Sequence, residues 1–174
     1  TLVAQALTGA RVVRLKGGDC GIFGRLDEEI EALEAAGLSF GIMPGLTSAT
    51  VAAASIGQSL TRRGRNASLR ILTGHDIAGF AEQDWNGLAR KGEVAAIYMG
   101  KKSARFIQGR LMMHGATGDT AITLIENVSR PDQRVIAASL ATLPEAAAAL
   151  QGPAVILYGL APRAAVTALK EAIA

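Results

Sequence analysis

A glycine pair and a carboxylate, Gly17-Gly18-Asp19, directly follow the apolar segment 12–16 and precede a helical pattern. Glycine allows positive φ angles and lets a ligand approach the backbone, because it carries no Cβ. Ligands of open α/β sheets bind beyond the carboxyl ends of strands, where this stretch is predicted to lie. It therefore predicts a small-molecule site in which Asp19 offers a carboxylate to hydroxyl or ammonium groups. A tight turn capped by Asp19 explains the same residues equally well.

Three further segments have residue types that could bind a polar ligand. Residues 44–48, PGLTS, join a predicted strand to a helix, where amides and hydroxyls can hold negative groups or simply cap the helix. Residues 62–65, RRGR, could clamp an anion through guanidinium groups or form an exposed basic turn. Residues 127–133, NVSRPDQ, are a long polar loop, and such loops often carry ligands.

The common nucleotide and metal motifs do not fit. The glycines between residues 17 and 24 cannot be placed on G-x-G-x-x-G. Residues 100–103, GKKS, are similar to the end of a Walker A motif, but Ala95 stands at its first glycine. The single cysteine, Cys20, excludes a disulfide framework and a cysteine-based zinc site. We expect no metal site.

The composition is that of a globular protein. Of its 174 residues, 49% are apolar and 19% are charged. The net charge of +3 is mildly basic, and aromatic residues make up only 4%. Few aromatics and no long Lys/Arg run argue against a dedicated single-stranded nucleic-acid surface. A secretory signal and a long apolar span are not recognisable, so the sequence predicts a soluble cytoplasmic protein.

The hydrophobic pattern alternates between strand-like and helix-like segments at the spacing of βα units. The gap between strands 120–126 and 134–139 is too short for a crossover, so this pair is predicted to be antiparallel. We predict an α/β fold with two α/β subdomains, 1–65 with a parallel sheet that is incomplete in this chain and 66–174 with a mixed sheet. The predicted strands span 12–16, 39–43, 68–73, 94–99, 120–126, 134–139 and 154–158, and the predicted helices 1–9, 26–36, 47–56, 103–114, 144–150 and 162–173.

Six segments, taken in order, resemble the uroporphyrinogen-III C-methyltransferases, a branch of the S-adenosylmethionine-dependent tetrapyrrole methyltransferases. They are VVRLKGGDCGIFGR, MPGLTSA, LTRRG, TGHD, YMGKK and ENVSRPDQRV, and the likeness covers almost the whole chain. The resemblance implies a tetrapyrrole methylase fold of two α/β domains with S-adenosylmethionine in the cleft between them, usually in a homodimer. It implies methylation of uroporphyrinogen III to precorrin-2, on the way to sirohaem or cobalamin, with S-adenosylhomocysteine as the other product.

The resemblance also assigns site residues by position, without a metal. It implies cofactor contacts from two loops, one strand end and one backbone position, and a substrate contact from one arginine. The cofactor residues are Gly17, Gly18, Asp19, Ile22, Thr47, Ser48, Met99 and Val128, and the substrate residue is Arg63.

The chain departs from the family pattern at several of these segments. The family reads GGDPFIFGR, whereas Cys20 and Gly21 stand at its Pro and Phe. Losing the proline removes a φ constraint and losing the phenylalanine removes an apolar contact, so we expect a looser loop and weaker cofactor binding. Val128 replaces a glycine and is expected to crowd the site, and Arg62 replaces a histidine.

The family's opening strand and glycine-proline loop, which carry its proton acceptor and donor, have no counterpart in this sequence, so no catalytic residue is assigned. We expect either a fragment of a longer protein or an incomplete copy that cannot turn over. Two other functions stay open. One is an RNA-methylating relative of the same fold, which the basic charge permits but LTRRG and RPDQRV disfavour. The other is a non-catalytic remnant retained for pairing with a partner.

Overall fold

The structure, a computed structural model, describes residues 2–77 and 79–164. By its internal contacts the chain divides into two compact units, unit 1 over residues 1–48 and unit 2 over residues 49–174. This division of packing falls earlier than the domain boundary that the sequence predicts after Arg65, because the helix that follows Ser48 packs into the core of unit 2. The boundary after Arg65 itself stays a prediction.

Unit 1 contains two helices, α1 (Leu2–Leu7) and α2 (Leu26–Ala35). The chain turns into α2 at Arg25, whose φ of 53° is left-handed. Acidic side chains fill the first turn of α2, where the helix dipole favours negative charge. Gly37, with a φ of 66°, ends the helix in the conformation that glycine adopts most easily. The predicted helix 26–36 is therefore confirmed.

Two strands predicted in unit 1, residues 12–16 and 39–43, do not form. Both segments lack strand pairing, and their apolar residues are exposed, with Leu15 80% and Met43 86% exposed. A strand exists only where a neighbouring strand takes its amides and carbonyls, and residues 2–48 supply no such ladder. The predicted parallel sheet is thus not formed by the described part of unit 1.

Unit 2 is built on a five-stranded mixed sheet in the order β1 (Arg70–Thr73), β4 (Ala95–Tyr98), β7 (Ala154–Tyr158), β5 (Ala121–Glu126) and β6 (Arg134–Ser139). The pair β1 and β4 is parallel, and the other neighbouring pairs are antiparallel, including the predicted pair β5 and β6. A mixed α/β fold with a mixed sheet is therefore confirmed. The strands β2 (His75–Asp76) and β3 (Gly79–Phe80) form a separate pair. The helices of unit 2 are α3 (Ser48–Ser55), α4 (Trp85–Leu88), α5 (Ala104–Met113) and α6 (Leu143–Ala148).

Helices cover both faces of this sheet, and the interior strand β4 alternates its buried side chains between the two resulting cores. Ala95 and Ile97 belong to the core that α4, α5 and α6 complete. Ala96, on the other face, belongs to the core that α3 completes with its alanines. The predicted last helix, 162–173, lies almost entirely outside the described residues.

The carboxyl ends of β1, β4 and β5 lie at one edge of the sheet. β4 runs parallel to β1, and both β4 and β5 run antiparallel to β7. Gly74, Met99 and Asn127, which follow these three strands, therefore stand along the same edge. This carboxyl edge is where open α/β sheets bind their ligands.

Candidate functional site

The carboxylate of Asp19 joins the glycine loop to the second predicted ligand loop within unit 1. Its Oδ1 accepts a hydrogen bond from the Gly21 amide at 2.8 Å, and its Oδ2 accepts one from the Gly45 amide at 2.9 Å. The Asp19 amide donates to the carbonyl oxygen of Leu46 at 3.1 Å. Asp19 thus acts on the backbone through both carboxylate oxygens, as the turn-capping interpretation requires.

The two loops approach so closely that glycine is needed at their contact. A Cβ placed on Gly45 would lie 2.7 Å from the carbonyl oxygen of Gly18, which real Cβ atoms do not tolerate. Gly18 itself has a φ of 130°, in the region that favours glycine. Gly17, in contrast, is exposed, and a Cβ there would meet nothing within 4 Å. The backbone at Gly17 is therefore open to a ligand.

Ion pairs fix both ends of the glycine loop to helix α2. The Lys16 ammonium lies 2.8 Å from Glu29 and also donates to the carbonyl of Gly24. The guanidinium of Arg25 donates to Glu28 at 2.8 Å. These hydrogen bonds, from Lys16 and from Arg25 respectively, hold the pKa values of Glu29 and Glu28 below their usual range. The loop is thus held at its ends by charge.

The residues that replace the family's Pro and Phe have defined contacts. The Cys20 thiol lies 3.8 Å from the carbonyl oxygen of Met43, across to the second loop. A Cβ on Gly21 would lie 3.2 Å from Asp19 Oδ1, so a larger residue there would press on the carboxylate that joins the loops. Ile22 is half-buried in the same loop.

Helix α3 begins at Ser48, and the phenol of Tyr98 caps its first turn. The Ala49 amide donates a hydrogen bond to the Tyr98 hydroxyl at 2.9 Å. The first amides of a helix have no partner within the helix, so such a cap stabilises its start. Both Thr47 and Ser48 are half-buried at this point. Tyr98 was not among the sequence-predicted site residues.

Met99 stands at the end of β4 in a conformation unusual for its residue type. Its φ is 53°, and its side chain is 52% exposed. The chain is tightly packed around it, since a Cβ on Gly74 would lie 2.6 Å from the Cα of Gly100. Left-handed backbone at a non-glycine residue is strained and is common at functional positions. Met99 thus lies exposed at the carboxyl edge of the sheet, and its role as a cofactor contact stays a prediction.

The loop after β5 places Val128 between two left-handed residues. Asn127 has a φ of 52° and Ser129 a φ of 69°. The Asn127 amide donates to the carbonyl of Pro153 at 2.9 Å, which holds the loop against the chain before β7. The side chain of Val128 is half-buried and packs against the core that α3 completes. Val128 is thus a packing residue whose backbone lies at the carboxyl edge.

Glu126, the last residue of β5, is a buried carboxylate that sequence reasoning did not single out. Only 2% of it is exposed. Its Oε1 accepts hydrogen bonds from the Gln151 amide at 2.5 Å and from the Gly152 amide. Its Oε2 accepts a hydrogen bond from the Arg134 guanidinium at 3.1 Å. The Gly152 amide, the Gln151 amide and the Arg134 charge lower the pKa of Glu126. The sequence signal is a charged residue that closes an apolar strand.

Arg63 lies on an exposed loop that Asn66 holds in shape. Asn66 Oδ1 accepts from the Arg62 amide at 3.1 Å and from Arg65 Nε at 2.9 Å. Its Nδ2 donates to the carbonyl oxygens of Leu60 at 2.9 Å and Ser68 at 2.7 Å. The loop encloses an open concavity of about 570 Å³ lined by residues 61–67.

The predicted residues thus fall into separate groups. The glycine loop of unit 1 contains Gly17, Gly18, Asp19 and Ile22, and Asp19 links it to the loop that ends in Thr47 and Ser48. The carboxyl edge of the sheet in unit 2 contains Met99 and Val128. Arg63 lies on the basic loop at residues 61–67. Among the described residues, no cluster of three or more His, Cys, Asp or Glu could hold a metal ion. No helix within residues 2–77 and 79–164 is long and apolar enough to cross a membrane.

The fold and these loops define a tetrapyrrole methylase. The family of Tetrapyrrole (Corrin/Porphyrin) Methylases matches residues 1–144, and the chain belongs to it. Over 158 residues it is 44% identical to siroheme synthase 3 of Aeromonas hydrophila. It is 42% identical to the siroheme synthase of Escherichia coli over the same length. These stretches cover 91% of this chain and 34% of each relative, so the chain spans about a third of the length of these relatives.

Solved structures share the same fold. Uroporphyrin-III C-methyltransferase of Thermus thermophilus, in complex with S-adenosylhomocysteine, superposes with a TM-score of 0.76 at 28% identity. That match covers 91% of this chain and 70% of the other. A cobalt precorrin-4 methyltransferase superposes with a TM-score of 0.81, over 90% of this chain and 67% of the other. At 22% identity the second likeness supports the fold alone.

Proposed function

We propose that the chain carries out the S-adenosylmethionine-dependent C-methylation of uroporphyrinogen III to precorrin-2, in the synthesis of sirohaem or cobalamin. Family membership supports the reaction class. The siroheme synthases at 44% identity and the uroporphyrin-III C-methyltransferase structure support the substrate. The observation that carries the proposal is the junction at Asp19, which brings the two loops of predicted cofactor residues together within unit 1.

The residues present fit an adenosyl ligand. Gly17 leaves open backbone, and Met99 is an exposed residue with a left-handed backbone at the carboxyl edge. S-adenosylmethionine, when bound, supplies a methyl group on a sulfonium, which transfers to a carbon nucleophile without a covalent protein intermediate. The chain's own task is then to hold and orient the two reactants. Gly17, Gly18, Asp19, Ile22, Thr47, Ser48, Met99 and Val128 would form the cofactor contacts, and Arg63 a substrate contact.

We place Asp19 in this site as the residue that shapes the binding loops. Both of its oxygens already accept backbone hydrogen bonds, at 2.8 and 2.9 Å. Its loss would loosen the Gly17-Gly18 loop against the loop at Gly45 and thereby displace the amides offered to the ligand. We further propose a cytoplasmic homodimer. The family resemblance supports the dimer, and exposed apolar side chains in unit 1, such as Leu15 and Met43, are consistent with a covered surface.

Calorimetric titration with S-adenosylhomocysteine tests the cofactor site. We expect saturable binding that Asp19→Ala weakens about tenfold or more, since each loop loses a charged hydrogen bond. Asp27→Ala, on the exposed first turn of α2, removes the same charge and should bind as the wild type does. A folded protein that gives no heat at millimolar ligand would contradict the proposal.

Methyl transfer is measured separately, with radiolabelled S-adenosylmethionine and either uroporphyrinogen III or ribosomal RNA as acceptor. We expect label in the tetrapyrrole. Label in RNA alone would replace the proposed substrate by that of an RNA-methylating relative. Light scattering at several protein concentrations measures the oligomeric state, and a monomer throughout would refute the homodimer.

A further inference from the structure

A basic surface extends from the loop at residues 61–67 to Arg163, a residue distant in sequence. The Arg163 amide donates to the carbonyl oxygen of Ile56, at the end of α3, at 3.1 Å. The Gln58 side chain donates to the carbonyl of Ala161 at 2.7 Å. These two hydrogen bonds attach residues 161–163 beside the segment that leads into the basic loop.

Arg62, Arg63 and Arg65 share one short loop, and the hydrogen bonds at Ile56 and Gln58 hold Arg163 beside the segment that leads into it. Burial lowers the pKa of Arg65, and the charges of Arg62 and Arg163 lower it further. Arg65 is held in place, because its guanidinium donates to the carbonyl of Ser59 at 2.7 Å and to Asn66. The side chains of Arg62, Arg63 and Arg163 are exposed. Like charges gathered on one surface repel one another unless an anion compensates them.

No carboxylate of the described chain compensates these charges. Several other arginines do form ion pairs with carboxylates; Arg70, for example, lies 3.0 Å from Asp84. Within residues 2–77 and 79–164, no such ion pair involves Arg62, Arg63, Arg65 or Arg163. The acceptors of Arg65 are neutral oxygens. The surface therefore has both an open concavity and uncompensated positive charge.

We propose that Arg163 completes a polycarboxylate subsite with the arginines of the 61–67 loop. Arg65 is the fixed charge at its base, and Arg62, Arg63 and Arg163 offer guanidinium forks that match carboxylates in pairs of hydrogen bonds. The ligand class is a small molecule with several carboxylates. The subsite itself does not depend on the proposed function. Only the identification of its ligand as the tetrapyrrole rests on that function.

The test uses two probes and measures binding at low and high salt. Uroporphyrin III is a tetrapyrrole octacarboxylate, and benzenehexacarboxylate has carboxylates but no tetrapyrrole. We expect Arg163→Gln to weaken both probes about fivefold at low salt, the effect of losing one exposed ion pair. The difference should shrink at high salt, because salt screens exposed charges. Arg163→Lys keeps the charge without the fork, so an intermediate loss is expected.

Arg105→Gln is the matched control. Arg105 is an exposed arginine of α5, and α5 packs on the sheet face opposite to α3. Its replacement by Gln changes the net charge by the same amount as Arg163→Gln, but on a different face of the sheet from α3. We expect its affinity for both probes to equal that of the wild type. Thermal unfolding of all variants checks that they fold. If Arg105→Gln weakened binding as much as Arg163→Gln, general charge attraction would replace the subsite.

The two probes separate this inference from the proposed function. If benzenehexacarboxylate binds in an Arg163-dependent manner while uroporphyrin and S-adenosylhomocysteine do not bind, the subsite stands and the proposed function fails. If uroporphyrin binds equally to wild type and to Arg163→Gln, the function stands and the role of Arg163 is refuted. Arg163-dependent binding of single-stranded RNA, without binding of either probe, would refute a small-molecule subsite.

Discussion

The hydroxyl of Tyr98 lies 2.9 Å from the amide nitrogen of Ala49 and accepts its hydrogen bond. One side chain at the end of strand β4 thereby fixes the first turn of helix α3. The residue after Tyr98 is the strained Met99, with a φ of 53°. The start of α3 and the backbone of Met99 are therefore coupled through neighbouring residues. Both belong to segments that the proposed cofactor site requires.

Replacement of Tyr98 by Phe should destabilise unit 2 without changing its core. The ring remains packed against the α3 core, but the Ala49 amide loses its acceptor. Loss of a helix cap costs about 1 kcal/mol. Chemical denaturation should show a lower midpoint and an unchanged m-value, because the exposed surface on unfolding is the same. A midpoint equal to that of the wild type would mean that water replaces the phenol at no cost.

Replacement of Asp19 by Ala should loosen the two loops of unit 1 locally. The Gly21 and Gly45 amides lose their acceptor, so hydrogen exchange at both should accelerate about tenfold or more. Asp19→Asn keeps one acceptor oxygen and should protect one of the two amides. NMR-detected exchange measures each amide separately. Unchanged protection at Gly45 would show that other contacts hold the loops together.

The sheet of unit 2 could be predicted from sequence because its strands are short apolar runs, of which β4, β5 and β7 are buried almost throughout. Residues 134–139 and 154–158 were predicted with the bounds that β6 and β7 have. The same pattern predicted strands at 12–16 and 39–43, and there it was wrong. An apolar run indicates burial, but strand pairing depends on a neighbour that local sequence does not reveal. The four-residue helix α4 and the two-residue strands β2 and β3 were too short for periodicity to detect.

The sequence predicted which types of residue form the candidate site, but not which residues contact one another there. The glycine loop was recognised, yet the role of Asp19 depends on Gly45, which lies 26 residues away in sequence. Glu126 was interpreted only as the end of a strand, although its partners, the amides of residues 151 and 152, make it a buried anchor. Arg163 lies far from the basic loop in sequence, and its amide is attached to Ile56, at the end of α3, by a hydrogen bond of 3.1 Å. Such long-range pairs are set by topology and not by local motif.

Replacement of Glu126 by Gln should destabilise the protein in a pH-dependent way. The folded state holds the pKa of Glu126 below its ordinary value of 4.5, because the Gly152 and Gln151 amides and Arg134 favour the carboxylate. A lowered pKa contributes stability above the ordinary value, and this contribution is lost as pH falls through the lowered pKa. The difference between wild type and Glu126→Gln should thus be constant near neutrality and shrink below about pH 4.5. Denaturation curves at several pH values measure it, and a constant difference throughout would contradict the assignment.

Replacement of Asn66 by Ala should open the basic loop and weaken anion binding together. The side chain makes four hydrogen bonds, with the Arg62 amide, Arg65 Nε and the carbonyls of Leu60 and Ser68, and their loss should cost about 1–3 kcal/mol. Asn66→Asp is the sharper variant, because it keeps both accepted bonds and loses both donated ones. Its carboxylate would also neutralise Arg65. It should therefore reduce benzenehexacarboxylate affinity more than its stability loss alone explains, as measured by calorimetry beside thermal unfolding. Equal affinity of Asn66→Asp and wild type would show that Arg65 contributes no charge to the subsite.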